Sequence, residues 1–443
     1  MDRLRNLYIN SRLLKALIAI ILLFLLGFAL SPVFVIAQVA LAILAIMVIL
    51  DGVQLFRARD VFFARRQIPQ KFSNGDANPV DIYVESRYPM EVQVVVMDEA
   101  PFQFQLRDQK FKVSLKPSEY RWIHYELTPV KRGEYEFGKI NIYTSSSWGL
   151  LSRRFRFEET TMVKVYPSFI QMRKYELLAI SQNLTEAGIK KLRRRGNNRE
   201  FEQIEQYVAG DDYRSINWKA TARRNQLMVN HYQDERSQHI YSVVDKGRVM
   251  KMPFNGMSLL DYAINASLVM SNIAVRKGDK AGLITFQHKP ETIIPASSRS
   301  RQMNLIMEGL YRQKTGYKES SFDTLYAAVR RNLSQRSLLI IYTNFESVHA
   351  MHRQLPYLRL LARQHLVLCV IFRNTEVEAL MAQPAETTEE IYTKGIAEQL
   401  MHEKEIIRRE LQVNGIHALL TAPENLSVNT INKYLELKSR GLI

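Results

Sequence analysis

From Ala16 to Leu30 every residue is apolar or glycine, and after Ser31-Pro32 a second stretch, Val33 to Leu50, is broken only by Gln38. A helix rises ~1.5 Å per residue, so roughly 18 residues cover ~27 Å, close to the hydrocarbon thickness of a bilayer. The first stretch reaches that length when Leu13, Leu14 and a snorkelling Lys15 are counted. The pattern predicts a transmembrane helical hairpin within residues 1–60, with spans at about 13–30 and 33–50 joined by the Ser-Pro turn. Arg3, Arg5, Arg12 and Lys15 precede the pair and Arg57, Arg59, Arg65 and Arg66 follow it, with no Lys or Arg between residues 16 and 56. Positive residues on both flanks put both ends in the cytoplasm. A cleaved signal peptide shares the basic start and the apolar run, but would leave the second run without a role.

Over residues 68–168 the pattern changes to short alternating runs rich in Val, Ile, Tyr and Phe: Val80 to Val84, Glu91 to Val96, Phe111 to Leu115, Tyr120 to Leu127, Tyr135 to Tyr143 and Met162 to Tyr166. Turn residues such as Ser73-Asn74-Gly75-Asp76, Lys116-Pro117-Ser118 and Lys131-Arg132-Gly133 separate them. Such spacing predicts an immunoglobulin-like β-sandwich. It carries no catalytic pattern and reads as a spacer.

Over residues 237–443 apolar runs alternate with amphipathic ones: His239 to Val244, Leu259 to Arg276, Lys280 to Phe286, Gln302 to Tyr311, Thr324 to Asn332, Ser337 to Tyr342, Met351 to Arg363, Leu366 to Phe372, Glu389 to Val413, Ile416 to Leu420 and Val428 to Lys438. This alternation predicts an α/β domain with a doubly wound, mainly parallel sheet. Ligands of such sheets sit beyond the carboxyl ends of the strands, which singles out Asp245 to Val249 and Thr343 to Glu346.

The 443 residues accommodate about two or three domains, so the chain is multi-domain. A formal charge of +17 favours anionic partners: lipid head groups, nucleic acid or an acidic protein face. The single cysteine, Cys369, sits in an apolar run and reads as a buried thiol. No G-x-x-x-x-G-K phosphate loop appears, no G-x-G-x-x-G follows the first strand of the α/β region, and His402-Glu403 lacks the second histidine of a zinc-protease helix.

Between the two regions, residues 186–236 form a junction. A basic run, Lys190, Lys191, Arg193, Arg194, Arg195 and Arg199, leads into the segment Glu200 to Arg223. Here Gly210 permits a tight turn, Asp211 and Asp212 accept hydrogen bonds or an arginine fork, and Trp218 offers an apolar anchor beside Arg214, Lys219 and Arg223. These residues either bind a cation, a peptide or a partner's charged loop, or close an ion-pair network that fixes a turn. The basic run reads as a solvated or membrane-facing surface; aromatic residues do not interleave it as a single-strand nucleic-acid groove would require.

On Lys131 to Gly138, Ser147-Trp148-Gly149-Leu150, Tyr166-Pro167, Tyr207 to Arg223 and Tyr434 to Lys438, the chain resembles the bacterial family known as domain of unknown function 58. The resemblance implies two membrane helices in the bacterial inner membrane, a β-sandwich and a von Willebrand factor A-like head. It also implies a MoxR-type AAA+ ATPase as partner, with which such proteins assemble or activate others. Von Willebrand A-like domains often bind Mg²⁺ through Asp-x-Ser-x-Ser after the first strand, with a threonine and an aspartate from later loops. Aligned on Asp245, the serine positions hold Gly247 and Val249; Asn344 stands at the later aspartate position, and Asp323 and Thr324 offer the middle loop. The expectation is a degenerate, metal-free site with no cofactor, Arg248 or Lys246 supplying positive charge near Asp245; Mg²⁺ enters only if the depleted oxygen set still holds it. The alternative is that Asp245 is a plain hydrogen-bond acceptor.

The functional expectation is a non-enzymatic, membrane-anchored adaptor that contacts lipid, the ATPase and a client protein. One alternative is a hydrolase using Asp211 and Asp212 as acid and base, which requires their pKa values to be driven apart. A second is binding of an anionic ligand or nucleic acid through the basic junction, which predicts steep salt dependence.

Overall fold

Two antiparallel helices follow a short strand, β1 (Leu7–Ile9), at the start of the chain: α1 (Ser11–Gly27) and α2 (Ser31–Arg57). This computed structural model describes residues 6–28, 30–57, 61–106, 109–157, 160–180, 200–208, 213, 216–233, 237–382, 384–385 and 387–443. It divides into two units, Met1–Tyr166 and Pro167–Ile443. The stretch Pro32–Arg57, with a mean hydropathy of 3.0, is long and apolar enough to cross a membrane, and 11% of its most apolar window is covered by protein. The structure differs here from the paired-span expectation. α1 is 17 residues long and ends at Gly27, whereas α2 begins at Ser31 and runs past Leu50 to Arg57. A Cβ on Gly27 would stand 2.8 Å from the Phe34 backbone, so the helices cross closely at that point.

The outer ends of both helices are tied to one turn of the β-region. Asn10, before α1, donates to the Gly149 carbonyl at 3.1 Å and accepts from Ser152 Oγ at 2.6 Å. Asp51, near the end of α2, accepts the backbone N–H of Leu150 (3.2 Å) and Leu151 (2.9 Å) and the Ser146 hydroxyl. The Leu55 carbonyl accepts from Tyr88 Oη and from Arg153, each at 2.8 Å.

The rest of the first unit is β2 (Phe62–Gln67), β3 (Lys71–Ser73), β4 (Asn78–Ser86), β5 (Val92–Asp98), β6 (Phe111–Leu115), β7 (Tyr120–Leu127), β8 (Gly133–Phe137), β9 (Ile140–Ser145), β10 (Leu151–Phe157) and β11 (Thr161–Tyr166). They form sheets ordered β1-β10-β9-β5-β6, β2-β4-β7 and β3-β11-β8. Inward residues such as Ile82, Val94, Phe137, Ile142 and Val165 share one core. The predicted run Tyr135 to Tyr143 is two strands, because Gly138 turns back on Glu99: the Gly138 N–H donates to the Glu99 carbonyl at 2.9 Å. In the first unit's interior, Arg66 and Asp98 form a buried ion pair, joined by the Tyr125 hydroxyl.

The second unit starts with α3 (Phe169–Ile180), followed by an antiparallel ribbon of β12 (Glu200–Gln206) and β13 (Met228–Gln233) enclosing α4 (Trp218–Arg224). Its main body is β14 (His239–Asp245), the small hairpin β15 (Pro253–Phe254) and β16 (Met257–Ser258), α5 (Leu259–Arg276), β17 (Lys280–Phe286), β18 (Pro290–Ser297), α6 (Gln302–Tyr311), α7 (Phe322–Asn332), β19 (Ser337–Thr343), α8 (Val348–Gln364), β20 (Leu366–Phe372), α9 (Thr375–Ala382), α10 (Thr388–Val413), β21 (His417–Thr421) and α11 (Leu426–Ser439). The six-stranded sheet runs β18-β17-β14-β19-β20-β21, parallel except for β18 at one edge. Strand residues alternate between two apolar layers, Ile240 and Val244 facing α5, α6 and α11, and Tyr241 and Val243 facing α7, α8 and α10. Such a sheet, covered on both faces, exposes its strand ends and the loops that leave them.

Candidate functional site

β14 ends on Asp245, which is 1% exposed at the carboxyl edge of the sheet. A buried carboxylate needs hydrogen-bond donors, and three loops deliver them. Oδ1 accepts the Gly247 N–H at 2.8 Å and the Ser320 hydroxyl; Oδ2 accepts the Thr343 hydroxyl at 2.6 Å. The 316–320 loop is zipped against residues 246–248, Gly316 N–H to the Lys246 carbonyl and Arg248 N–H to the Lys318 carbonyl, each at 3.1 Å. A Cβ on Gly247 would lie 2.0 Å from Ser320 Oγ, so a side chain at 247 and the Ser320 hydroxyl are mutually exclusive. Gly247 offers no hydroxyl, as its sequence position implies, and the hydroxyl on Oδ1 arrives from a different loop, on Ser320.

The expected positive charge lies elsewhere. Lys246 pairs with Glu291, and Arg248 forms a two-pronged contact with Glu346 at 3.1 Å to each oxygen. Both cations are matched by glutamates rather than by Asp245, whose oxygens are filled by neutral donors. Thr324 sits in the first turn of α7, where its hydroxyl donates to the Ser321 and His288 carbonyls at 3.0 and 3.2 Å, too committed to reach Asp245. Val249 lines the neighbouring cleft. Asn344 faces a residue that sequence reasoning missed: its Oδ1 accepts from Lys404 Nζ at 2.9 Å, and Lys404 donates also to the Phe345 carbonyl.

Lys404 belongs to the inward stripe of α10, three residues before buried Ile407 and two helical turns from buried Ala397 and Leu411. A lone cation on that stripe is the signal that could have found it. Burial lowers its ammonium to about 8, against the pull of Glu346 and Glu403. Ser320 had no such signal, since Glu319-Ser320-Ser321 reads as an ordinary helix approach. Lys404 and Asn344 line a cleft of about 420 Å³ whose walls include Met252, Phe254, Phe372, Val377, Leu400 and Met401.

In the junction, Gly210, Asp211, Asp212 and Arg214 lie outside the described residues, as does the basic run from Lys190 to Arg199. Trp218 opens α4 with 70% of its surface exposed, and Lys219 and Arg223 are exposed on the same short helix. Asn217 caps it by accepting the Ala220 N–H at 3.0 Å. Cys369 is fully buried in β20, where burial pushes its thiol up to about 12. Among the described residues no group of three or more His, Cys, Asp or Glu side chains is placed to hold a metal ion.

Residues 203–409 match a family described as protein of unknown function DUF58. A stretch of 122 residues is 29% identical to the uncharacterized protein YeaD of Bacillus subtilis (strain 168), covering 28% of this chain and 30% of that relative's length. Among solved structures, the conserved hypothetical protein BatB from Bacteroides thetaiotaomicron aligns at 13% identity over 46% of this chain and 99% of its own, with a TM-score of 0.32. A CARDB domain from Pyrococcus furiosus in complex with di-metal ions aligns at 16% identity over 25% of this chain and 98% of its own, with a TM-score of 0.18.

Burial raises the Asp245 carboxyl above its ordinary range, opposed by Ser320, Thr343 and Gly247. A carboxyl with a raised folded pKa holds more protons when folded, so its contribution to stability is complete below the unfolded pKa and is lost as pH rises through the folded one. Thermal unfolding of the full chain in detergent, followed from about pH 4 upward, should therefore show Asp245→Asn removing part of the wild-type decline. Asp245→Ala, which orphans three donors, should cost about 2–5 kcal/mol at neutral pH. An unchanged pH slope in Asp245→Asn would contradict this assignment.

Proposed function

We propose that the chain, whose residues 203–409 match the family described as protein of unknown function DUF58, is a membrane-anchored interaction protein without an enzymatic activity of its own, whose strand-end face engages a MoxR-type AAA+ ATPase or its client. In this reading α1 and α2 form a two-pass hairpin in a bacterial inner membrane. The attachment of both outer ends to residues 146–153 supports a hairpin, and the flanking Arg and Lys residues support a cytoplasmic location for those ends. The first unit's sheets then serve as an immunoglobulin-like spacer, and the second unit as a von Willebrand A-like head.

The observation that carries this reading is the cleft beyond the strand ends, about 420 Å³ and walled by apolar side chains. Beside it the Asp245 carboxylate is spent on internal hydrogen bonds, and Lys246 and Arg248 on ion pairs. An apolar recess with few polar groups at the carboxyl edge of an α/β sheet is the usual location for recognition. Capture of the ATPase from native membranes by the solubilised full chain, with ATP or ADP present, tests it. Wild type should retain the ATPase, and Arg248→Glu/Arg373→Glu, at the half-exposed rim of the cleft, should lose it at unchanged melting temperature. Equal capture by the variant, or none by wild type in either nucleotide, would sink the reading.

The same reading makes Asp245 an internal acceptor rather than a cation ligand. One carboxylate whose hydroxyl neighbours already donate to it is a poor match for the six oxygens Mg²⁺ demands. Calorimetric titration of Mg²⁺ into the full chain should show no micromolar binding; such binding, abolished by Asp245→Ala, would overturn this point.

A further inference from the structure

Resting on that interaction reading, we propose that the strand-end cleft captures the free carboxyl terminus of another protein whose last residues are apolar, with the terminal carboxylate seated on Lys404 and Asn344. The polar groups of the cleft are rich in donors. An ammonium has three N–H bonds, and Lys404 uses two, on Asn344 Oδ1 at 2.9 Å and on the Phe345 carbonyl. Asn344 accepts through its oxygen, which leaves its amide N–H groups without an acceptor among the described residues. Asn374, also in the lining, accepts the Glu376 and Val377 N–H groups at 3.0 and 3.3 Å through its side-chain oxygen.

The charges point the same way. Among the described residues, the lining carries Arg248, Arg373 and Lys404 against one carboxylate, Glu346. Arg248 is matched by Glu346 at 3.1 Å, and Arg373 by Glu378 at 2.9 Å. Lys404 has carbonyl oxygens in contact but, among the described residues, no carboxylate. A ligand carboxylate completes its coordination and replaces water with a charge-assisted hydrogen bond.

The walls decide which carboxylate. An acidic side chain brings polar backbone on either side of it, whereas a chain terminus places an apolar side chain and a carboxylate on one Cα, matching a recess of Met252, Phe254, Phe372 and Met401 around Lys404. The rest of the ligand has a track to follow. Tyr392, Ile396 and Leu400 recur every four residues on α10 and are 74%, 47% and 45% exposed, a stripe that leads from the outer end of the helix to the cleft. Capture of a terminal carboxylate beside an apolar pocket is an established mode of peptide recognition.

Fluorescence anisotropy of the full chain in lipid nanodiscs tests this with a labelled decapeptide ending in leucine-phenylalanine, as the free acid and as the carboxyl-terminal amide. The acid should bind at least about ten-fold more tightly than the amide. Lys404→Met should abolish that preference and Lys404→Arg should keep part of it, while Leu400→Glu, at an exposed position that folding tolerates, should weaken the acid further. Equal affinity for acid and amide, or an undiminished preference in Lys404→Met, would overturn the proposal. Absence of binding to both peptides while the ATPase is still captured from membranes would also overturn it and leave the interaction reading intact.

Discussion

A single buried carboxylate, Asp245, organises the functional face of the second unit. At 1% exposure it cannot rely on water, so the chain must bring it donors, and it does so from the turn after β14, from the 316–320 loop and from the end of β19. Each donor fixes the loop that carries it. Gly247 follows from the same requirement, since Ser320 occupies the space a side chain would take. Once these loops are set, the residues just beyond them, Arg248 on one side and Asn344 to Glu346 on the other, stand at the edge of the cleft in defined positions.

Lys404 is the complement of that arrangement. It reaches the strand ends from the buried face of α10 and holds the Asn344–Phe345 backbone and side chain with its ammonium, at a site dry enough to draw its pKa well below that of free lysine. A cation retained at such a cost, without a carboxylate in contact among the described residues, differs from Lys246, Arg248 and Arg373, all of which have one. The distinction between satisfied and unsatisfied charge at this edge is what gives the cleft a chemical preference.

Much of the second unit was legible because its strands are uninterrupted apolar runs bounded by polar turns: Lys280–Phe286, Leu366–Phe372 and the helix Gln302–Tyr311 have the bounds the pattern predicts. Strands that carry arginine were not. Phe62–Gln67 and Leu151–Phe157 hold Arg65, Arg66, Arg153, Arg154 and Arg156, and alternation alone does not reveal that Arg66 is buried against Asp98. Leu7–Ile9 is too short to register, and the edge strand Pro290–Ser297 is half exposed and starts on proline. Of the site, Asp245 and Asn344 could be read from their places after strands. Ser320 depends on a tertiary contact 75 residues away in sequence, which no local pattern encodes, and for Lys404 the apolar stripe of α10 marks the position but not its partner Asn344, 60 residues away.

In the proposed function the carboxyl edge of the six-stranded sheet is the surface that meets a partner. Photo-crosslinking in cells addresses it directly, with a photoreactive residue placed in turn at Met252, which lines the cleft and is 43% exposed, and at Arg336, exposed just before β19 at the opposite edge. Discrete crosslinked species are expected at Met252 and none at Arg336. Crosslinks at Arg336 with none at Met252 would place the partner on the wrong edge of the sheet and contradict the proposed function.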